Sequence, residues 1–186
     1  MRRKSLVLTV AVVLLLAAVA VGLTARPAAF AVLHRKTAHR FPQVHWITAG
    51  DLAQWMADSA RPRPLLLDAR TQEEYSLSHL ESAQRIDPYH PDFAPLKAFR
   101  RDTPIVVYCA VGYRSARVAY RLGQLGFTRG SNLQGGVFQW ANQGRPLVRD
   151  GLPAAAVHPF NSRWGLLLER RYRAEAPDLE QHSAAP

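Results

Sequence analysis

Apolar positions along this chain fall into one unbroken block, several short runs and a few helical stripes. The block comes first: residues 6–23, LVLTVAVVLLLAAVAVGL, hold 16 apolar residues of 18, broken only by Thr9 and Gly22, and follow Arg2-Arg3-Lys4. As a helix it spans about 27 Å, close to the roughly 30 Å hydrocarbon core of a bilayer and longer than the usual core of a cleaved signal. Residues 1–25 are therefore expected to form a transmembrane anchor or signal segment. Length favours an anchor, whereas Ala29-Phe30-Ala31 offers a small-x-small cleavage pattern. Residues 26–43 read as a basic linker.

From residue 44 onward the pattern alternates between helix and strand. Thr48 and Asp51 ahead of Leu52, Trp55 and Met56 predict a capped helix ending near Pro62. The run Pro64 to Ala69 is continuously apolar until Asp68, the mark of a strand buried on both faces. A helical turn over Glu73–Leu80 and a short strand over Ala83–Ile86 follow. Phe93, Leu96 and Phe99 keep helical spacing across 92–101, with Pro95 in the first turn. Pro104 to Cys109 is the second buried strand. Ser115 is then expected to cap a helix carrying Val118, Leu122 and Leu125 and ending at Gly126. A short strand at Asn132-Leu133, a Gly135-Gly136 turn and a helix from Val137 to Asn142 complete the series.

Strands alternating with helices predict one α/β domain over 44–150, a mainly parallel sheet flanked by helices and preceded by the N-terminal hydrophobic helix. Ligands of such sheets sit beyond the carboxyl ends of the strands, where both Asp68 and Cys109 fall. Residues 151–186 read as a C-terminal extension. Within it Trp164 to Arg173 is expected to form one amphipathic helix, and the tail after Ala174 is expected to be disordered.

Charge changes the picture mainly at the N-terminus. The chain carries 24 Lys and Arg against 14 Asp and Glu, a net +10. Seven of the cations (Arg2, Arg3, Lys4, Arg26, Arg35, Lys36, Arg40) lie in the first 40 residues, which hold no acid, so residues 41–186 carry 17 cations against 14 acids. That near-balance, with no nucleic-acid-binding motif, excludes a nucleic-acid partner. The positive-inside rule puts the N-terminus in the cytoplasm, although the cations after residue 23 weaken the asymmetry. The chain is thus expected in a bacterial inner membrane, single-pass through residues 6–23, with its domain on the periplasmic side or exported after cleavage. One cysteine, Cys109, forbids an intramolecular disulfide, and the seven histidines show no zinc spacing. No metal or cofactor is expected.

The chemistry concentrates at Cys109-Ala110-Val111-Gly112-Tyr113-Arg114-Ser115, between a buried strand and a helix. A thiol attacks as its thiolate. Three features favour the anion here: backbone N–H groups curling around the sulfur, the positive end of the following helix, and the charge of Arg114. Gly112 allows the loop its unusual backbone. A lone cysteine ending a strand is most often a small core residue; the Gly- and Arg-bearing loop ahead of a helix reverses that reading.

Several motifs occur in one order: Asp68-Ala69-Arg70 with Glu73-Glu74-Tyr75; Ser78-His79-Leu80 with Ala83; the loop CAVGYRS; and Leu133-Gln134-Gly135-Gly136-Val137 with Trp140. Together they resemble the rhodanese family of sulfurtransferases in its single-domain form, over residues 44–148. Ser78 departs from the family's usual Gly, and Ala110 from the cation that some thiosulfate-using members carry. The resemblance implies a ping-pong reaction: Cys109 takes the outer sulfur of an anionic donor such as thiosulfate as a persulfide and passes it to cyanide or a thiol. Residues 110–115 would bind the substrate, with Arg114 holding the dianion. Phosphatases and arsenate reductases with a similar loop need Cys-x5-Arg, and the shorter Cys109-x4-Arg114 argues against them.

Other polar residues have a structural role to weigh against a functional one. Asp68 and Arg70 could touch substrate, but charges at partly buried sites usually need partners, so the pair is expected to brace the loops. His79 is expected in a turn contact. Tyr113 and Trp140 line the pocket or pack. Arg117 and Arg121 are a solvated face or a funnel for anions. His158 and Trp164 receive no role. The rival to an enzyme is a membrane-tethered persulfide carrier, or a docking module for a membrane redox partner.

Overall fold

The computed structural model describes residues 25–175. The apolar block at 6–23 and the tail beyond Glu175 lie outside them. Among the described residues no helix is long and apolar enough to cross a membrane.

Five strands form one wholly parallel sheet: β1 (His45–Ile47), β2 (Leu65–Asp68), β3 (Gln84–Arg85), β4 (Ile105–Tyr108) and β5 (Gly130–Leu133), in the order β1-β5-β4-β2-β3. The two runs that read as doubly buried strands are adjacent at its centre, with Asp68 opposite Tyr108. Alternation along β4 feeds two cores. Ile105, Val107 and Cys109 pack with Leu67, Ala116, Val118 and Leu122 on one face; Val106 and Tyr108 pack with Leu52, Leu66, Val137 and Phe138 on the other. Every β4 side chain is buried. This is why the strand carries no polar alternation.

Helix α1 covers residues 25–40, so the segment expected as a linker is folded onto the domain. Phe30, Leu33 and Thr37 recur at helical spacing and form its inner stripe, which Phe41 continues just past the helix end; Phe30, Thr37 and Phe41 are buried. His34 meets the Trp46 ring edge-on at 4.5 Å. Helix α2 (Ala49–Ala57) has the expected Thr48 cap, bonded to the Asp51 amide at 3.1 Å, and ends five residues short of Pro62. Helix α3 (Gln72–Leu77) starts with a capping box between Thr71 and Glu74. The 92–101 segment tightens into a 3₁₀ turn at Ala94–Ala98.

Helix α4 (Tyr113–Gln124) begins earlier than expected: Gly112, at φ +102°, is its N-cap, and Ser115 lies buried inside the first turn. Gly135, at φ +70°, caps α5 (Gly136–Asn142). After α5 comes a hairpin, β6 (Leu147–Arg149) with β7 (Leu152–Ala154). The single amphipathic helix expected over 164–173 is divided into α6 (Ser162–Gly165) and a 3₁₀ turn at Arg170–Tyr172. Val157 and Leu168 are fully buried in the main core, so the described part of the C-terminal extension is integral to the fold.

Gly136 sits at φ +56°, where a Cβ would overlap the carbonyl oxygens of Cys109 and Ala110. Gly136→Ala is expected to destabilise the domain by about 1–3 kcal/mol through backbone overpacking. An unchanged urea midpoint would show that this approach does not constrain the loop.

Candidate functional site

The site lies beyond the carboxyl ends of β2 and β4, where the two central strands hand the chain to α3 and α4. Cys109 is buried, and its Sγ accepts the Gly112 N–H at 3.2 Å. The loop around the sulfur is held from outside. The first turn of α5 supplies Val137 N–H to the Cys109 carbonyl at 2.8 Å and Phe138 N–H to that of Ala110 at 3.1 Å. The Gly112 carbonyl accepts the buried Asn132 side-chain amide at 2.7 Å and the Ala116 N–H at 3.3 Å. With three loop carbonyls engaged elsewhere, the Gly112 amide is free to face the sulfur, and the positive end of α4 starts at the next residue.

Arg114 lines the cavity but is held from its other side by a carboxylate. Its Nη1 and Nη2 donate to Glu74 Oε2 and Oε1, each at 2.7 Å, in a bidentate fork. Glu74 is buried, and its Oε2 also accepts the Thr71 N–H at 3.0 Å, so one carboxylate closes the α3 capping box and grips α4. Burial by itself would push the Glu74 carboxyl up; the hydrogen bonds and charge of Arg114, the charge of Arg70 and the Thr71 amide outweigh it and hold the group below the usual carboxylate range. Burial likewise disfavours the charged form of Arg114, but the Glu74 carboxylate and the neighbouring Cys109 favour it and push the pKa of the guanidinium above its ordinary value.

Asp68 and Arg70 are fully buried and face one another. Arg70 Nε donates to Asp68 Oδ1 at 2.8 Å and Nη2 to Oδ2 at 2.6 Å, and Nη2 reaches the Ser78 carbonyl. They brace the neighbouring loops and do not line the cavity. Ser78, the departure from the family's Gly, donates its hydroxyl to the Ala156 carbonyl at 2.7 Å and thereby ties the C-terminal extension to this network. His79 accepts a turn role: its Nδ1 lies 3.0 Å from the Tyr75 carbonyl and its ring stacks on Tyr75 at 4.0 Å. Trp140 is core packing, bonded through Nε1 to the Pro146 carbonyl.

A cavity of about 470 Å³ opens onto Cys109, Ala110, Val111, Tyr113 and Arg114. Gly112 and Ser115 hold the loop without lining it; the Ser115 hydroxyl is buried and has no partner among the described residues. Of the remaining walls, the sequence points only to Arg117, as a funnel for anions. These walls are Leu33, Lys36 and Thr37 from α1, Tyr89, Arg117, and Phe160 and Trp164 from the C-terminal extension. Arg117 is steadied by the Pro88 carbonyl at 2.7 Å. Phe160, at φ +64°, lies under the Arg114 guanidinium, 4.8 Å from carbon to ring centre. Its N–H donates to His158 Nδ1 at 3.0 Å, and burial pushes the His158 imidazole below its ordinary pKa.

The profile of the rhodanese-like domain matches residues 48–143, more than half of the chain. The chain belongs to the rhodanese-like domain family. A protein of Allochromatium vinosum named Sulfurtransferase is 33% identical over 105 residues, which are 56% of this chain and 95% of that protein. The probable adenylyltransferase/sulfurtransferase MoeZ of Mycobacterium tuberculosis is 34% identical over 54% of this chain, a stretch that makes up 25% of MoeZ. In fold, the solution structure of the rhodanese-like domain from the Anabaena protein Alr3790 superposes with a TM-score of 0.51 at 22% identity, covering 57% of this chain and 80% of that one. The rhodanese-like match ends before β6, so the hairpin, α6 and the wall residues Phe160 and Trp164 lie outside it, as does α1.

The Glu74–Arg114 pair predicts an acid-side signature. A carboxyl held below its unfolded value adds stability that is complete above the unfolded pKa and is lost as pH falls through the depressed folded one. Glu74→Gln strands a largely buried guanidinium and is expected to cost about 3 kcal/mol at neutral pH. It should also flatten the loss of stability below roughly pH 4. Parallel stability curves for the two chains across that range would remove Glu74 from this role.

Proposed function

We propose that this rhodanese-like protein is a sulfurtransferase that carries sulfane sulfur as a persulfide on Cys109 and delivers it to a thiol or cyanide. The observation that carries the reading is the position of Sγ. It accepts an amide at the base of a cavity, at the end of a buried strand and the start of a twelve-residue helix. A persulfide extends the side chain by one atom into that cavity and keeps its negative charge near the loop amides and the helix end. The thiolate attacks the outer sulfur of the donor, the donor's S–S bond breaks with its electron pair leaving on the departing group, and an acceptor thiolate takes the outer sulfur and restores Cys109. The sulfurtransferase names of relatives at 33% and 34% identity support the same chemistry.

Thiosulfate is the simplest donor to test. Arg114, engaged by Glu74, contributes its charge from a fixed position. Lys36 and Arg117, both exposed and on the cavity wall, supply further attraction for an anion. Residues 6–23 tether the domain to a bacterial inner membrane, with the domain on the periplasmic side.

Incubating the purified chain with thiosulfate should add one sulfur atom to Cys109 by mass and release sulfite. Cys109→Ser should abolish both, and any equal sulfur uptake by the variant would rule out the persulfide step. For location, the full chain should sediment with membranes, and its domain should be cleaved by protease added to intact spheroplasts; protection there would reverse the orientation.

A further inference from the structure

The cavity above Cys109 is large and mostly apolar for an inorganic sulfur anion. Its volume of about 470 Å³ lies in the range that holds small organic ligands. Leu33, Val111, Tyr113, Phe160 and Trp164 line it, while the two exposed cations, Lys36 and Arg117, line it from the solvent side. Arg114, the cation beside Cys109, already has both terminal nitrogens on Glu74. An oxyanion in this space would leave most of the wall without a partner.

The apolar wall is also built at a cost. Phe160 holds a left-handed backbone, φ +64°, which a large side chain rarely adopts. It is kept there by the His158 Nδ1 acceptor and by Arg114 above its ring. Asn161 then caps α6 through the Trp164 amide at 3.0 Å, which fixes the second ring. Leu33 comes from the opposite terminus on α1. None of these three residues falls within the family match at 48–143, so this part of the wall, unlike Val111 and Tyr113, lies outside the shared domain.

We infer that the donor to Cys109 is an organic sulfane-sulfur compound whose apolar group, of aromatic-ring size, lies against Leu33, Phe160 and Trp164. This rests on the sulfur-transfer reading above and names its substrate class. With an organic thiosulfonate the step balances: the Cys109 thiolate bonds to the terminal sulfur, the S–S bond to the sulfonyl group breaks, and the sulfinate leaves with the electron pair. Cys109 is left as the persulfide anion, with the same total charge as before. The apolar group adds binding that the small donor lacks, and the exposed cations meet the charge of the sulfinate end.

The test compares benzenethiosulfonate, methanethiosulfonate and thiosulfate on the full chain, reading both turnover and sulfur added to Cys109. The expected kcat/KM for the phenyl donor exceeds that for the methyl donor by about tenfold or more, the scale of one well-buried apolar group. Phe160→Ala and Trp164→Ala should each bring that ratio toward one. As a readout that needs neither turnover nor a wall variant, the Cys109→Ser chain should bind benzenesulfinate more tightly than methanesulfinate by calorimetry. Equal efficiencies and equal affinities for phenyl and methyl compounds, with sulfur still transferred, overturn this inference alone. Failure of all three donors to place sulfur on Cys109 overturns the transfer reading beneath it.

Discussion

The site depends on the bidentate pair between Glu74 and Arg114. Removing two charges from water is costly, and this pair offsets the cost through a full fork and a further hydrogen bond from the Thr71 amide to the carboxylate. What it secures is register between segments distant in sequence. Glu74 is fixed by the capping box of α3, Arg114 by the first turn of α4, and the Arg114 face by the Phe160 ring. The Cys109 loop lies between these supports. A change in the position of α3 would therefore pass directly to the wall of the cavity.

A second buried pair, Asp68 with Arg70, serves the neighbouring strand end. Arg70 extends it to the Ser78 carbonyl, and the Ser78 hydroxyl passes it to Ala156 in the C-terminal extension. A glycine at 78 could supply the carbonyl but not the hydroxyl. The serine thus belongs with the packed extension, and the departure at 78 and the segment beyond the family match form one structural arrangement. Tyr108 closes it from below, accepting the Leu80 N–H at 3.0 Å, and burial beside Asp68 pushes its phenol well above the ordinary pKa.

The legible parts of this fold were those in which local pattern and tertiary environment agree. β2 and β4 were plain because strands buried on both faces need continuous apolar runs, and α2 because Thr48 supplies its own cap. Cys109 was plain because a glycine and an arginine followed it before a helix. The start of α4 was misplaced at Ser115, since a glycine cap has no side chain to announce it; the loop needs Gly112 at positive φ to turn its amide onto the sulfur. Glu74 was visible only as part of a motif, because a capping box gives no sign that the same carboxylate also holds a distant arginine. α1 was hidden by its cations, although Phe30, Leu33, Thr37 and Phe41 keep helical spacing beneath them. The division of 164–173 is tertiary in origin: a Cβ at Gly165 would crowd Pro159, and the chain turns there to bury Leu168 while leaving Leu166 exposed.

The thiol and the cavity walls are divided unequally along the chain. The family segment holds the thiol, the amide that faces it and the glycine approach that fixes the loop, and none of these distinguishes one sulfur donor from another. The cavity above them is walled partly by the family segment, through Tyr89, Val111, Tyr113 and Arg117, and partly by α1 and the turn from His158 to Trp164, which lie outside it. Both segments carry an internal reason to be where they are: a buried stripe on α1, and on the other side a hydrogen-bonded histidine, a cation over a ring and a capped turn. The cation excess at the N-terminus acquires a second meaning on the same argument. Beyond any part it plays in topology, Lys36 is brought by the apolar stripe of α1 to the mouth of the cavity, where its charge and that of Arg117 can draw an anionic end toward walls that favour an apolar one.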